Sequence, residues 1–144
     1  MNSPDDIKLM LGHPPAEPRT LAVIGLSADP MKPSHSVSAY MQRNGYRILP
    51  VNPAALLEAP NATILGEPVY ASLADLPVKP DVVNVFRLPK FIPAIVDEMI
   101  ALGLPNLWVQ LRLRHDEAAA RAEAAGIRVV MDRCILIEHS RLGL

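Results

Sequence analysis

The chain has 144 residues, of which 50% are hydrophobic and 20% charged, a composition typical of one globular domain. Its net charge of −1 argues against binding nucleic acid or an acidic membrane through a positive field. The single cysteine excludes an internal disulfide, and no apolar run approaches the roughly 18 residues of a transmembrane helix, so we expect a cytoplasmic protein.

The first nineteen residues lack the basic start and apolar stretch of a signal peptide. We predict that residues 1–19 form a helical or loosely ordered N-terminal arm and that residues 20–144 form one domain.

Five short apolar runs predict buried β-strands. In chain order they cover residues 20–26, 46–51, 82–86, 107–111 and 127–131. Pro50 has no backbone N–H to donate, so the second strand is expected to end there or to have an unpaired edge.

Helical patterns separate most of these strands. Ser34 and Asp116 are predicted N-caps, since short oxygen-bearing side chains accept hydrogen bonds from the first helical amides. The predicted helices follow Ser34, contain the apolar positions 91–100, span residues 116–125 and span residues 135–142. Their alternation with strands predicts an α/β, Rossmann-like three-layer domain with a mainly parallel five-stranded sheet.

Basic residues gather after the predicted strands, where open parallel sheets bind their ligands. Six basic residues lie in these loops, namely Lys32, Arg87, Lys90, Arg112, Arg114 and Arg133. The only acidic residues in the same loops are Asp29 and Asp132. The pattern predicts a site for an anionic ligand, although the alternative is that surface loops are simply charged.

The loop of residues 25–34 lies where such folds hold a phosphate against helix N-terminal amides. Gly25 would permit close approach of the backbone, while Ser27, Lys32 and Ser34 supply donors. The alternative for Gly25 is that glycine only serves packing between elements.

Two common phosphate-binding motifs are absent from this loop. The dinucleotide fingerprint lacks its second and third glycines, and Asn52 follows the second strand where an acid for the ribose is usual. Pro30 stands where the P-loop needs its second glycine. A phosphate-bearing ligand is still expected, but not through either of these motifs.

Seven short pieces, in this order and spacing, carry a resemblance over residues 21–142. They are VIGLS at 23–27, GYRILPVNP at 45–53, ILGE at 64–67, SLAD at 72–75, DVVNVFR at 81–87, LWVQ at 107–110 and MDRC at 131–134. Together they resemble the stand-alone CoA-binding proteins related to the N-terminal domain of the succinyl-CoA synthetase alpha subunit.

The resemblance implies that coenzyme A lies across the strand ends, with its phosphates on the basic residues. It implies contacts from the loop of residues 25–34, from the ends of the second and third strands, and near the end of the fourth. The candidate binding residues are Gly25, Ser27, Lys32, Ser34, Asn52, Pro53, Phe86, Arg87 and Gln110.

The sequence departs from the family pattern at two places. Arg112 stands where a glycine usually follows Gln110 and Leu111, so we expect that the backbone there does not adopt a glycine-only conformation. Residues 54–63 form a longer stretch than usual, expected to cover or widen the adenosine end of the site.

Cys134 has two interpretations. Beside Arg133 it is a candidate reactive thiol, whereas a lone cysteine is more often a buried small hydrophobe, which is the interpretation we favour. The four histidines and Cys134 reproduce no zinc spacing, and no nucleophile with a base is evident.

We therefore predict a non-catalytic module that binds, senses or carries coenzyme A or an acyl-CoA, because the synthetase chemistry needs further domains. One alternative is a small redox or nucleotide-cofactor enzyme that uses Cys134. Another is an interaction protein that has lost the ligand. Neither nucleic acid nor membrane is an expected partner, no metal is expected, and a protein partner is left open.

Overall fold

The computed structural model describes residues 1–13 and 17–144. The α-helices are α1 (Pro4–Leu11), α2 (Pro33–Arg43), α3 (Pro53–Glu58), α4 (Ile92–Leu102), α5 (Asp116–Ala124) and α6 (Ile135–Leu142). The strands are β1 (Thr20–Ile24), β2 (Arg47–Val51), β3 (Thr63–Ile64), β4 (Glu67–Pro68), β5 (Val82–Val85), β6 (Asn106–Val109) and β7 (Arg128–Val130).

Five of these strands form one sheet in the order β2-β1-β5-β6-β7, with every neighbouring pair parallel. They begin within one residue of the predicted starts. The predicted α/β fold with a parallel five-stranded sheet is therefore confirmed. β3 and β4 form a separate antiparallel hairpin.

The sheet is buried between two helical layers. Side chains of α4 and α5 pack on one face around Val96, Met99 and Ala122. Side chains of α1, α2 and α6 pack on the other face, where Met41 and Ile135 are fully buried. This double burial explains why the strands read as continuous apolar runs instead of alternating patterns.

The direction of winding reverses between β1 and β5. The chain runs outward from β1 to β2, returns to β5, and then continues outward through β6 and β7. In this strand order the ligand crevice lies beyond the carboxyl ends of the two strands at the reversal. Gly25 and Phe86 are the first residues after those strands.

Pro50 lies inside β2, which is the edge strand of the sheet. The missing N–H therefore leaves no ladder partner unsatisfied, in agreement with the expected unpaired edge. The outer side of the strand is partly covered by Tyr70, which donates its N–H to the Pro50 carbonyl at 2.9 Å.

Both predicted N-caps are wrong by one or two positions. The α2 cap is Lys32, because Pro33 takes the first helical position with its φ already fixed. The α5 cap is His115, whose Nδ1 accepts the Ala118 N–H at 3.0 Å. Asp116 is then the first helical residue, where a carboxylate suits the helix dipole.

The start of the predicted arm packs against the outer edge of the sheet. The Asn2 N–H donates to the Val129 carbonyl at 3.0 Å, and the Asn2 side chain bonds both backbone groups of Met131. Residues 14–16 of the arm lie outside the described residues. In residues 1–13 and 17–144, no helix is long and apolar enough to span a bilayer.

Candidate functional site

Two cavities lie at the carboxyl ends of the strands. Gly25 and Phe86 line the large cavity, which has a volume of about 550 Å³. Ile24 and Arg87, the chain neighbours of those two residues, line the small cavity, which has a volume of about 250 Å³. Together they cover the point where the sheet reverses its winding, which is the expected place for a ligand.

The structure divides the candidate residues between these cavities. The large cavity is lined by Gly25, Ser27, Lys32, Ser34, Phe86 and Gln110. The small cavity is lined by Pro53 and Arg87. Asn52 lines neither cavity.

Asn52 serves the protein's own backbone. Its side-chain amide donates to the Leu26 carbonyl at 2.9 Å, and its Oδ1 accepts the Ala55 N–H at 3.2 Å. It thereby caps α3 and ties β2 to the loop after β1. Both polar atoms of the Asn52 side chain therefore have structural partners.

Gly25 is required for packing at the end of β1. Its φ is 86°, and a Cβ at this position would lie 2.6 Å from the Phe86 carbonyl oxygen. Its N–H donates to the Val51 carbonyl at 2.9 Å, so this amide already has a partner. The packing role weighed as an alternative for Gly25 is thus present, whatever its role toward a ligand.

The loop between β1 and α2 is held by its own polar side chains. The Ser27 N–H donates to Ser34 Oγ, and the Asp29 N–H donates to Ser27 Oγ, both at 3.0 Å. His35 Nδ1 lies 2.9 Å from the Ser27 carbonyl oxygen. Both serine hydroxyls therefore accept from the backbone, and the hydroxyl proton is what each can offer to a ligand.

The amino end of α2 also faces the large cavity. Pro33 has no N–H, and the amides of His35 and Ser36 both donate to the Lys32 carbonyl. Among the backbone groups described at this end, the Ser34 amide is the donor left for an anion. The exposed Lys32 side chain lies at the same place.

A buried polar pair forms part of the large cavity's wall. Gln110 is 4% exposed, and its Nε2 donates to Asn84 Oδ1 at 2.7 Å. Asn84 lies in the middle of β5 and is itself buried. Gln110 is therefore fixed in orientation at the end of β6.

Arg112 adopts the conformation that we expected it to avoid. Its φ is 69°, in a turn closed by the Leu113 N–H and the Gln110 carbonyl at 3.1 Å. Asp132 Oδ1 accepts the Arg112 N–H at 2.7 Å and thereby supports this turn. The expectation was wrong because a distant side chain stabilises the left-handed backbone, and Arg112 lines the large cavity.

Arg87 lies at the small cavity, where its guanidinium carbon is 3.9 Å from the centroid of the Phe91 ring. This contact with the ring holds the guanidinium in place. The N–H groups lie in the plane of the guanidinium itself and stay available for hydrogen bonds. Lys90 approaches the same ring less closely, at 5.3 Å.

Most of the predicted basic residues lack a carboxylate partner. Arg114 pairs with Asp116 at 2.7 Å. Among the described residues, the other five make no salt bridge, and three of them, Lys32, Arg87 and Arg112, line the cavities. The strand ends therefore carry uncompensated positive charge.

Several residues of the large cavity were not predicted from the sequence. Cys134, for which a buried hydrophobe was the favoured interpretation, is partly exposed and lines this cavity. Ile137 lies three residues later, on the same face of the start of α6. That spacing was the available signal. The other residues that were not predicted are Val37, Leu111 and Leu113.

Residues 54–63 contain most of α3 and lead into the hairpin of β3 and β4. None of them lines the large or the small cavity. Covering of the adenosine end by this stretch thus remains a prediction.

Comparison with known proteins gives a family match over most of the chain. A family model described as a CoA binding domain matches residues 19–140. The uncharacterized protein YneT of Bacillus subtilis (strain 168) is 38% identical over 122 residues, which are 85% of this chain and 86% of that protein. The structure of cell-free ID.343 from Thermus thermophilus has 37% identity and a TM-score of 0.85, covering 96% of this chain and 97% of that chain.

A more distant structure shares the fold. The dinucleotide forming acetyl-coenzyme A synthetase 1 of Ca. Korarchaeum cryptofilum, in complex with phosphate and ADP, is 22% identical with a TM-score of 0.65. The match covers 90% of this chain but only 27% of that chain. The same architecture thus occurs as one part of a larger protein.

Proposed function

Because this chain belongs to the family of CoA binding domains, we propose that it binds coenzyme A or an acyl-CoA across its strand ends. In this proposal the domain is a binding, sensing or carrier module without catalysis of its own. The family membership that the sequence resemblance predicted is confirmed. The binding of coenzyme A by this chain is what we propose in addition.

One observation carries the proposal. Arg87 presents a guanidinium over the Phe91 ring, without a carboxylate partner among the described residues. It lines the small cavity, and its side chain lies beside Gly25, which lines the large cavity. A long ligand with several phosphates fits this arrangement, since phosphate is a preferred partner of guanidinium.

The ligand's parts match different walls. We place the nucleotide end at the small cavity, near Pro53, Arg87 and Phe91. The diphosphate lies by the Ser34 amide and Lys32, at the amino end of α2. The pantetheine arm enters the large cavity and directs its thiol toward Cys134.

Native mass spectrometry of freshly purified protein tests the proposal. We expect a bound species with the mass of coenzyme A or of an acyl-CoA, released on denaturation. A copurified nicotinamide or flavin nucleotide would instead favour the nucleotide-cofactor enzyme.

A redox role for Cys134 is the second candidate, favoured by the position of this thiol on the large cavity. The Cys134 thiolate would attack the disulfide of oxidised coenzyme A, forming a mixed disulfide and releasing one CoA thiolate. Intact mass after incubation with that disulfide decides between the roles. A rapid stoichiometric adduct that Cys134→Ser lacks supports the redox role, and no adduct supports the binding module.

A further inference from the structure

We propose that the large cavity holds the acyl group of the ligand, so that this chain recognises acyl-CoA with a chain of several carbons in preference to free coenzyme A. The inference rests on the proposed function, which places the nucleotide at the small cavity. It adds a ligand class that the family match does not specify.

The walls of the large cavity separate by polarity. Polar groups lie on the side of the β1–α2 loop, where Ser27, Lys32 and Ser34 are found. The other side carries Leu111 and Leu113 from the turn after β6 and Ile137 from α6, and Arg112 is the charged residue among them. The two amides of pantetheine need hydrogen-bond partners and suit the first side, whereas a hydrocarbon chain suits the second.

Gln110 adds a polar group at the end of β6. It is buried, and one of its two side-chain N–H groups donates to Asn84. Its second N–H and its Oε1 are left to bond a pantetheine amide, so we assign Gln110 to the arm and not to the hydrocarbon chain.

Apolar side chains on this wall are left exposed by the protein itself. Leu111 is 48% exposed and Ile137 is 40% exposed. Covering them with hydrocarbon removes apolar surface from water on both partners. Each methylene that enters the cavity should strengthen binding about fourfold, which corresponds to about 0.8 kcal/mol.

The nucleotide site determines which apolar molecule would fill this space. The Arg87 side chain of the small cavity lies beside Gly25 of the large cavity, since a Cβ at Gly25 would be 3.1 Å from Arg87 Cδ. A ligand anchored at Arg87 therefore extends directly into the large cavity. An acyl chain attached through pantetheine reaches the apolar wall as part of that single ligand.

Calorimetric titration with coenzyme A and with acetyl-, butyryl-, hexanoyl- and octanoyl-CoA tests the inference. We expect affinity to rise about fourfold per added methylene until the cavity is filled. Equal affinity across the series overturns the inference and leaves the proposed function standing. If neither coenzyme A nor any ester binds, both fail.

Ile137→Ser provides the structural test. We expect this substitution to reduce the ratio of octanoyl-CoA affinity to coenzyme A affinity severalfold. Ile100→Ser is the matched control, since Ile100 is 42% exposed in α4 and lines neither cavity. The control should keep the wild-type ratio. An Ile137→Ser protein with the same ratio as this control overturns the inference.

Discussion

The carboxylate of Asp132 accepts the backbone N–H of Arg112 at 2.7 Å, and both residues have positive φ angles, 69° at Arg112 and 58° at Asp132. A left-handed conformation costs an L-residue with a Cβ roughly 1–2 kcal/mol. The two strained residues follow neighbouring strands β6 and β7, and Arg112 lines the large cavity.

We expect Asp132→Ala to lower the free energy of unfolding by about 1–2 kcal/mol, because it removes the hydrogen bond and places alanine in a left-handed conformation. Arg112→Gly should raise it by up to about 1 kcal/mol, since glycine adopts this φ without a steric cost. Urea unfolding of both variants and of the double variant measures these effects. Strict additivity would contradict the coupling that the hydrogen bond implies.

Gly25→Ala is expected to destabilise the fold by more than the strain of its φ alone. The added Cβ would meet the Phe86 carbonyl oxygen at 2.6 Å. Gly66→Ala is the matched control, because Gly66 has a φ of 76° but no atom within 4 Å of its Cβ position. We expect about 1–2 kcal/mol of destabilisation at Gly66 and a larger value at Gly25, measured by urea unfolding. Equal losses would show that the contact with Phe86 can relax.

Arg87→Ala should weaken coenzyme A binding by about 1.5–3 kcal/mol, the contribution of a charge-assisted contact to phosphate. We expect it also to reduce the preference for coenzyme A over dephospho-CoA, because Arg87 lies at the proposed nucleotide end. Lys32→Ala should weaken both ligands equally and flatten the salt dependence of binding.

Arg121→Ala is the control for these charge removals. Arg121 pairs with Asp97, 2.9 Å away, and lines neither cavity. Its substitution should leave both affinities at wild-type values. If Arg87→Ala keeps the wild-type preference for coenzyme A over dephospho-CoA, Arg87 does not contact the 3′-phosphate and contributes only general positive charge.

We expect the free energy of unfolding to fall in acid because of His139. It is buried in α6, with Nδ1 2.9 Å from the Tyr40 hydroxyl oxygen, and burial lowers the pKa of His139 below its usual value of 6.5. Burial also raises the pKa of neighbouring Tyr46 to about 12, so that phenol stays neutral in this range. Below pH 6.5 the unfolded chain therefore binds a proton at this histidine that the folded chain resists.

Thermal unfolding between pH 5 and pH 7.5 measures this effect. Stability due to neutral His139 should be complete above about pH 6.5 and should decline as the pH falls toward the lowered folded-state pKa. His139→Gln should flatten that decline, while His35→Gln retains it. An unchanged pH profile in His139→Gln would assign the acid sensitivity to other groups.

Patterns local in sequence predicted the sheet well. Each strand of the sheet is buried on both faces and so appears as an apolar run, and Pro50 correctly indicated an edge. The N-caps were less predictable. Helix α2 begins at Pro33 without a side-chain cap, and the imidazole of His115 accepts the hydrogen bond that Asp116 was expected to accept at α5. Which residue caps a helix depends on local geometry that residue type alone does not determine.

The site was predictable only in part, because several of its interactions join residues far apart in the chain. Nothing local in the sequence indicates that Asp132 supports the left-handed Arg112 twenty positions earlier. Asn52 has the right position for a ligand contact, yet its side chain bonds the protein backbone. Cys134 follows an apolar strand but reaches the large cavity, because α6 begins at the carboxyl edge of the sheet.

Thermal unfolding with coenzyme A and with NAD tests whether the domain binds coenzyme A selectively. At a hundredfold excess over its dissociation constant, coenzyme A should stabilise the fold by about 2.7 kcal/mol, equivalent to a rise in Tm of roughly 5–11 °C. NAD at the same concentration should leave the Tm unchanged, because the dinucleotide fingerprint is absent. Equal shifts in Tm with the two ligands, or no shift with coenzyme A, would contradict selective binding of coenzyme A.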